Sequence, residues 1–292
     1  MKKFCTKASG FLYFGGGPGW SSLPDQSMLA PALSRGELGM EFWDEPSPLR
    51  PDGHTFFTNR AFHNWMFSAS QFLNESLSRY SEVGVITHGF STLPILKIIE
   101  SQNLKVDQLV LISPYVDIYS YQKRLVQLSI QDFARLEDTP SASQLKLLLG
   151  QSRELFDWSI QQALQVSFHN PYLFDHFWQD LDLRDLWLLN MEDKESQLDL
   201  VSWQAVNQDL VQVMGRLGLD SPLSISTTVI IGERDPICKE ALVQKELSKL
   251  LNRFEVRVFP NCSHFPHLES PDLFVSQIAG SRSPLFLDRL AS

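Results

Sequence analysis

Gly84-Val85-Ile86-Thr87-His88-Gly89-Phe90-Ser91-Thr92-Leu93-Pro94-Ile95-Leu96 reads as a short apolar strand, a sharp turn and the start of a helix. A strand, tight turn and helix in this order can hold one residue in a strained conformation at the carboxyl edge of a sheet, a place suited to an exposed nucleophile. The residues two positions to either side must be small for the turn to close. Here Thr87 and Ser91 take those flanking places, and Gly89 stands at the centre with no side chain to attack with. Glycine adopts such a conformation without steric cost, so the turn is expected to form while acyl-enzyme formation is lost. A register shifted by two residues makes Ser91 the alternative nucleophile; Leu93 then crowds the turn, whereas Pro94 is tolerated early in the helix. In the unshifted register Ser91 is expected to cap the helix N-terminus.

Outward from this turn, strand-like and helical runs alternate, which argues for a mostly parallel α/β sheet flanked by helices. Strands are expected at Phe11–Phe14, Met40–Trp43, Val83–Ile86, Gln108–Ile112, Thr227–Ile231 and Phe254–Phe259. Helices are expected from Thr58 to Arg79, Leu93 to Glu100, Lys239 to Leu251 and Pro271 to Ala279, by their spacing of apolar residues. Between about Val116 and Gly218 the strand signal disappears. Helical runs such as Leu145–Leu149 and Trp158–Val166 are broken near Pro140, Gly150 and Asn170-Pro171. The reading is a core in two parts, 1–115 and 221–292, with an all-helical cap inserted at 116–220. The cap is dense in aromatics: Phe156, Trp158, Phe168, Tyr172, Phe174, Phe177, Trp178, Trp187 and Trp203. Most are expected to form the cap's own core and the remainder to line a cavity between cap and sheet.

Further strand ends carry polar motifs. Gly15-Gly16-Gly17-Pro18-Gly19 follows the first strand, and such a turn exposes backbone N–H groups suited to a phosphate or a developing oxyanion. It is not a dinucleotide fingerprint, since it does not open directly into a helix. Gly232-Glu233-Arg234-Asp235-Pro236 places a carboxylate at one strand end, and Asn261-Cys262-Ser263-His264 places an imidazole at the next. An aspartate there can fix the tautomer of the histidine, making His264 the candidate base. His267 is assigned to the start of the final helix. Cys262, His264 and His267 do not complete a zinc pattern, so no metal or cofactor is expected.

Taken together, these motifs make the chain resemble an α/β-hydrolase of the proline iminopeptidase-like group. The matching stretches are Gly16-Gly17-Pro18-Gly19, Trp43-Asp44-Glu45-Pro46, Thr87–Ser91, Asp235 and His264, in that order along nearly the whole chain. The resemblance implies the α/β-hydrolase fold with a helical cap, and oxyanion donors at the backbone N–H groups of Gly17 and Phe90. The chain departs from the family pattern at Gly15, where a histidine is usual, at Thr87 and Ser91 in place of glycines, and at Gly89 in place of the serine. The expectation is a fold-family member that does not perform ordinary serine hydrolysis. It would bind a small molecule in a capped pocket or use Asp235 and His264 as a base; the alternative is a peptidase- or esterase-like enzyme working through Ser91.

Composition narrows the partners. The 292 residues carry a formal net charge of −9 with no run of Lys or Arg, which disfavours nucleic acid and anionic membrane. The three cysteines, odd in number, make no disulfide framework. Phe11–Phe14 is too short for a signal-peptide core, and no apolar run approaches the roughly 20 residues of a membrane span. The expectation is a cytoplasmic protein with a small-molecule partner, its oligomeric state left open.

Overall fold

A strand covered by helices on both faces needs apolar residues at every position rather than at alternate ones. The computed structural model, which describes residues 9–46, 60–153, 157–191, 199–213 and 218–280, shows this in its central strands. All of β4 (Gln108–Ile112) and β5 (Thr227–Gly232) is buried, as is β3 (Glu82–His88) beyond its first residue. With β1 (Ser9–Phe14), β2 (Met40–Trp43) and β6 (Phe254–Phe259) they form one six-stranded parallel sheet in the order β2-β1-β3-β4-β5-β6. Helices α1 (Leu23–Arg35), α2 (Ala61–Arg79), α3 (Thr92–Ser101), α9 (Glu240–Leu247), α10 (Pro266–Glu269) and α11 (Pro271–Gly280) complete the α/β layers. Strand order reverses at β1, with β2 on one side and β3 on the other. Crevices outside the carboxyl ends of strands at such a reversal are where α/β sheets bind ligands. Among the described residues no helix is long and apolar enough to cross a membrane.

The strand expectations hold closely, but β3 continues through Thr87 and His88, so the turn begins at Gly89 itself. α9 is shorter than expected: the chain turns after Leu247, and Leu251 bridges to Leu223. His267 does not open the final helix. It lies on the separate short turn α10, which ends at Ser270 before α11 begins at Pro271.

The helical stretch between β4 and β5 divides by packing. α4 (Ile118–Arg135), α5 (Thr139–Gln151) and α6 (Trp158–Ser167) close over their own hydrophobic cluster, built on Val126, Phe133, Leu145, Ile160 and Leu164. α7 (Leu181–Asn190) packs on α1 and α8 (Leu200–Val213) on α2, and Trp187, Val206 and Leu210 join the main core. The expectation that the aromatics form the cap's own core is therefore corrected. None of those in the described residues belongs to the α4–α6 cluster, which is chiefly aliphatic. Trp178 and Trp187 are buried in the main core; Phe168, Phe174, Phe177 and Trp203 border a cavity; Trp158 and Tyr172 face solvent. Phe156 lies outside the described residues. The aromatics concentrate where the chain returns from α6 over the sheet, and there broad flat rings cover more area than aliphatic ridges.

Candidate active site

The carboxyl ends of neighbouring strands bring the site together. β5 runs into Asp235, which is fully buried, and β6 into His264. His264 Nδ1 lies 2.8 Å from Asp235 Oδ2. The same carboxylate accepts from Ser113 Oγ at 2.9 Å and from the backbone N–H groups of Ile237 and Cys238 at 2.8 and 2.9 Å. Burial alone would raise its pKa; the charge and hydrogen bond of His264, with these N–H groups, reverse that and hold the carboxyl below the usual range. An ionised Asp235 accepts a hydrogen bond from Nδ1–H, which selects the tautomer in which His264 Nε2 presents a lone pair.

That lone pair is already met. Tyr115, two residues beyond Ser113 at the end of β4, sets its hydroxyl 3.0 Å from His264 Nε2. Burial, then the charges of Cys238 and Asp235, push the phenol well above its ordinary pKa, so it stays protonated and donates. Sequence reasoning missed Tyr115 altogether. The available signal was its place directly after a central strand, between the two strands that carry Gly89 and Asp235.

Gly89 occupies the turn after β3 with φ +52°, the left-handed conformation in which the presented residue was expected. A Cβ added there would meet Gly16 O at 3.6 Å and Tyr115 Cζ at 3.7 Å, ordinary contact distances. The turn therefore has the shape for a side chain and lacks one. Ser91 is not brought to the dyad. It is fully buried, its hydroxyl donates to Phe14 O at 2.9 Å or His88 O at 3.0 Å, and it does not border the cavity. Nor does it cap α3 through its side chain; its oxygen accepts instead from His88 N at 3.2 Å. The hydroxyl ties the turn to β1, a structural use that also explains why a residue larger than glycine is accommodated.

Gly17 and Phe90, expected to supply oxyanion donors, both border the cavity beside Gly89. The carboxyl of Glu45 packs under Gly17, where a Cβ would lie only 1.6 Å from its Oε1, and it accepts from Gly19 N. Asp44 is used differently: Oδ1 accepts from Ser22 N and Oγ at 2.8 and 2.9 Å and fixes the start of α1. When ionised, Glu45 beside Gly17 opposes the build-up of negative charge on this loop, unlike a bare oxyanion hole.

The cavity of about 230 Å³ lies between the helical stretch and the strand ends. Trp20, Phe90, Phe174, Phe177 and Trp203 give it an aromatic wall, and no Lys, Arg, Asp or Glu among the described residues borders it. Of its amides, Asn170 is committed to Asp132 at 2.8 Å and Asn207 to Trp203 O at 2.8 Å, whereas the buried Gln122 Oε1 has no partner among the described residues. Below the floor, Tyr13 bonds both Asp25 (2.5 Å) and His267 (2.9 Å), and Trp187 Nε1 closes on Asp25 at 2.7 Å.

Two buried groups, Asp25–His88–His267 and Asp235–Cys238–His264, bring metal-ligand atoms within 4.8 Å of one another. In the first, Asp25 and His267 are bonded through Tyr13. In the second, burial and the Asp235 charge push the Cys238 thiol well up, against the thiolate that a metal requires. Glu269 accepts from the backbone N–H groups of Ser263, Gln179 and Asp180 and so stitches the His264 loop to residues before α7.

Comparison with known proteins bears on the family and the fold. Residues 11–277 match the model of a family described as the alpha/beta hydrolase family. Among solved structures, the proline iminopeptidase-related protein of Thermus thermophilus is similar at 17% identity over 94% of this chain and 88% of that chain, with a TM-score of 0.60. The 2-hydroxy-6-oxo-6-phenylhexa-2,4-dienoate hydrolase of Rhodococcus sp. strain RHA1 follows at 14% identity, 94% and 90% coverage and a TM-score of 0.59. A meta-cleavage product hydrolase of Pseudomonas fluorescens IP01 gives 16% identity, 93% and 89% coverage and a TM-score of 0.57. No curated protein matches the chain.

Proposed function

Given that the chain belongs to the alpha/beta hydrolase family, we propose that it is a diverged member that has given up the serine of the elbow. It binds a small uncharged molecule beneath the helical segment and applies Asp235 and His264 to it as a base. One observation carries the reading: Gly89 keeps the left-handed turn, φ +52°, beside an aspartate–histidine pair at 2.8 Å that is oriented as a working base requires. A pair kept only for stability would not need a cavity at its far side. The wall defines the ligand class. With aromatic rings around it and no cation among the described bordering residues, the cavity favours a neutral, largely apolar body over a carboxylate such as the dienoate named for the Rhodococcus enzyme.

Thermal unfolding with a matched pair of probes, 1-naphthamide and 1-naphthoate, tests the binding half of this reading. The amide is expected to raise Tm and the carboxylate to leave it unchanged. A rise with the carboxylate alone, or with neither probe, overturns the ligand class.

A further inference from the structure

We propose that Tyr115 supplies the hydroxyl that His264 activates, so that Asp235, His264 and Tyr115 form an acyl-transfer triad with a phenol in place of the serine. The substrates would be esters, or amides with a good leaving group, whose acyl part is neutral and apolar. The inference rests on the reading that no serine operates at the elbow.

The proton arrangement is that of an activated nucleophile. Asp235 accepts from Nδ1 at 2.8 Å, and Nε2 accepts from the Tyr115 hydroxyl at 3.0 Å. The ring is held on several sides. It stacks on Tyr121 with centroids 4.2 Å apart and planes 22° apart, and Tyr115 N donates to Gly89 O at 3.0 Å. Tyr115 Cζ stands 3.7 Å from the place of the missing Cβ, so the phenol leans over the residue from which a serine would project. It borders the cavity together with Gly17 and Phe90. In this reading the space beside the phenol, into which a serine hydroxyl would project, is left to the substrate carbonyl.

The step balances without another reagent. Tyr115 Oη bonds to the carbonyl carbon, its proton passes to His264 Nε2, and the carbonyl π pair moves onto oxygen. Collapse breaks the bond to the leaving group, which takes the proton from the imidazolium, and an acyl-tyrosine remains. Water then attacks the acyl carbon as His264 takes its proton, and the departing phenolate recovers that proton. The net change is ester plus water to acid plus alcohol. Because the intermediate is an aryl ester, whose phenolate leaves more readily than a serine alkoxide, it hydrolyses faster than an acyl-serine would.

An irreversible probe is therefore the right test: a fluorophosphonate incubated with the full chain, followed by peptide mass spectrometry. The expected result is an adduct on Tyr115, lost in Tyr115→Phe and slowed by at least about 100-fold in His264→Gln, with both variants checked for native circular dichroism. Dependence on His264 separates this adduct from chance labelling of a surface tyrosine. No adduct on the native chain overturns the triad, and labelling at position 89 in Gly89→Ser would then leave the base-only reading standing. An adduct on Ser91 overturns both. An adduct on Tyr115 that His264→Gln does not slow also overturns the triad.

Discussion

An aspartate, a histidine and a tyrosine meet twice in this molecule, and the two meetings differ in what stands in the middle. At the strand ends the imidazole of His264 lies between Asp235 and Tyr115, and Tyr115 borders the cavity. Below, the phenol of Tyr13 lies between Asp25 and His267, both tyrosine and histidine are fully buried, and Trp187 takes the remaining carboxylate oxygen. His88 sits between the two sets, its ring centre 5.3 Å from that of His264 and 4.8 Å from that of His267. The same three residue types serve two ends. With the imidazole in the centre and a hydroxyl at the open end, the chain of bonds can move a proton to a ligand. With the phenol in the centre and an indole sealing the far end, it ties α7 to the sheet and moves nothing.

The contrast breaks most readily on stability. Asp25→Ala leaves the Trp187 N–H buried without its partner and the Tyr13 hydroxyl with His267 alone, and is expected to cost about 3 kcal/mol. His264→Gln, which weakens the bond to Asp235 but keeps an amide able to donate to it, should cost less, about 1–2 kcal/mol. Urea titrations of both variants check this, and equal losses would erase the distinction.

Acid sharpens it next. Burial, reinforced by His267 and then His264, lowers the pKa of His88; burial also lowers that of His267, against the pull of Asp25. Both stay neutral in the fold while the unfolded chain protonates below about pH 6.5. The unfolded state then binds more protons, so stability falls as pH drops from about 6.5 toward the depressed native values, by up to about 1.4 kcal/mol per pH unit for each histidine. His88→Gln should flatten the slope of urea-derived stability between about pH 6.5 and 5 by one proton's worth. The Asp235 contribution, from a lowered carboxyl, is present above about pH 3.9 and lost only below it. A modest effect is expected at the turn: Gly89→Ala places a Cβ at ordinary contact distances but at φ +52°, for about 1–2 kcal/mol of strain in thermal unfolding.

Much of the first set was legible because its parts sit at strand ends, which hydrophobic runs mark out. Asp235, His264 and Gly89 each follow an apolar run closely. Tyr115 was not legible as a partner, since 149 residues separate it from His264 and the pairing exists only because β4 and β6 flank β5 in the sheet. Asp25, Tyr13 and His267 escaped for a related reason. Tyr13 reads as one more apolar strand residue, and nothing local reveals that its hydroxyl needs a carboxylate. Ser91 misled in the opposite sense, because a small hydroxyl at a helix start invites either a cap or a nucleophile, whereas its bonds run back into the sheet.

The lacing between the His264 loop and the segment before α7 has a mechanical consequence. His264 N donates to Phe177 O at 3.0 Å, Ser263 Oγ to His176 O at 3.0 Å, and Glu269 gathers N–H groups from both sides. Phe174 and Phe177 are also part of the cavity wall. A guest that pushes on those rings therefore pulls on the backbone of the imidazole, as a doorframe bolted to the workbench would. If the proposed function holds, ligand entry and proton transfer share this linkage, and a ligand of the wrong breadth would spoil the alignment of the base before any chemistry began.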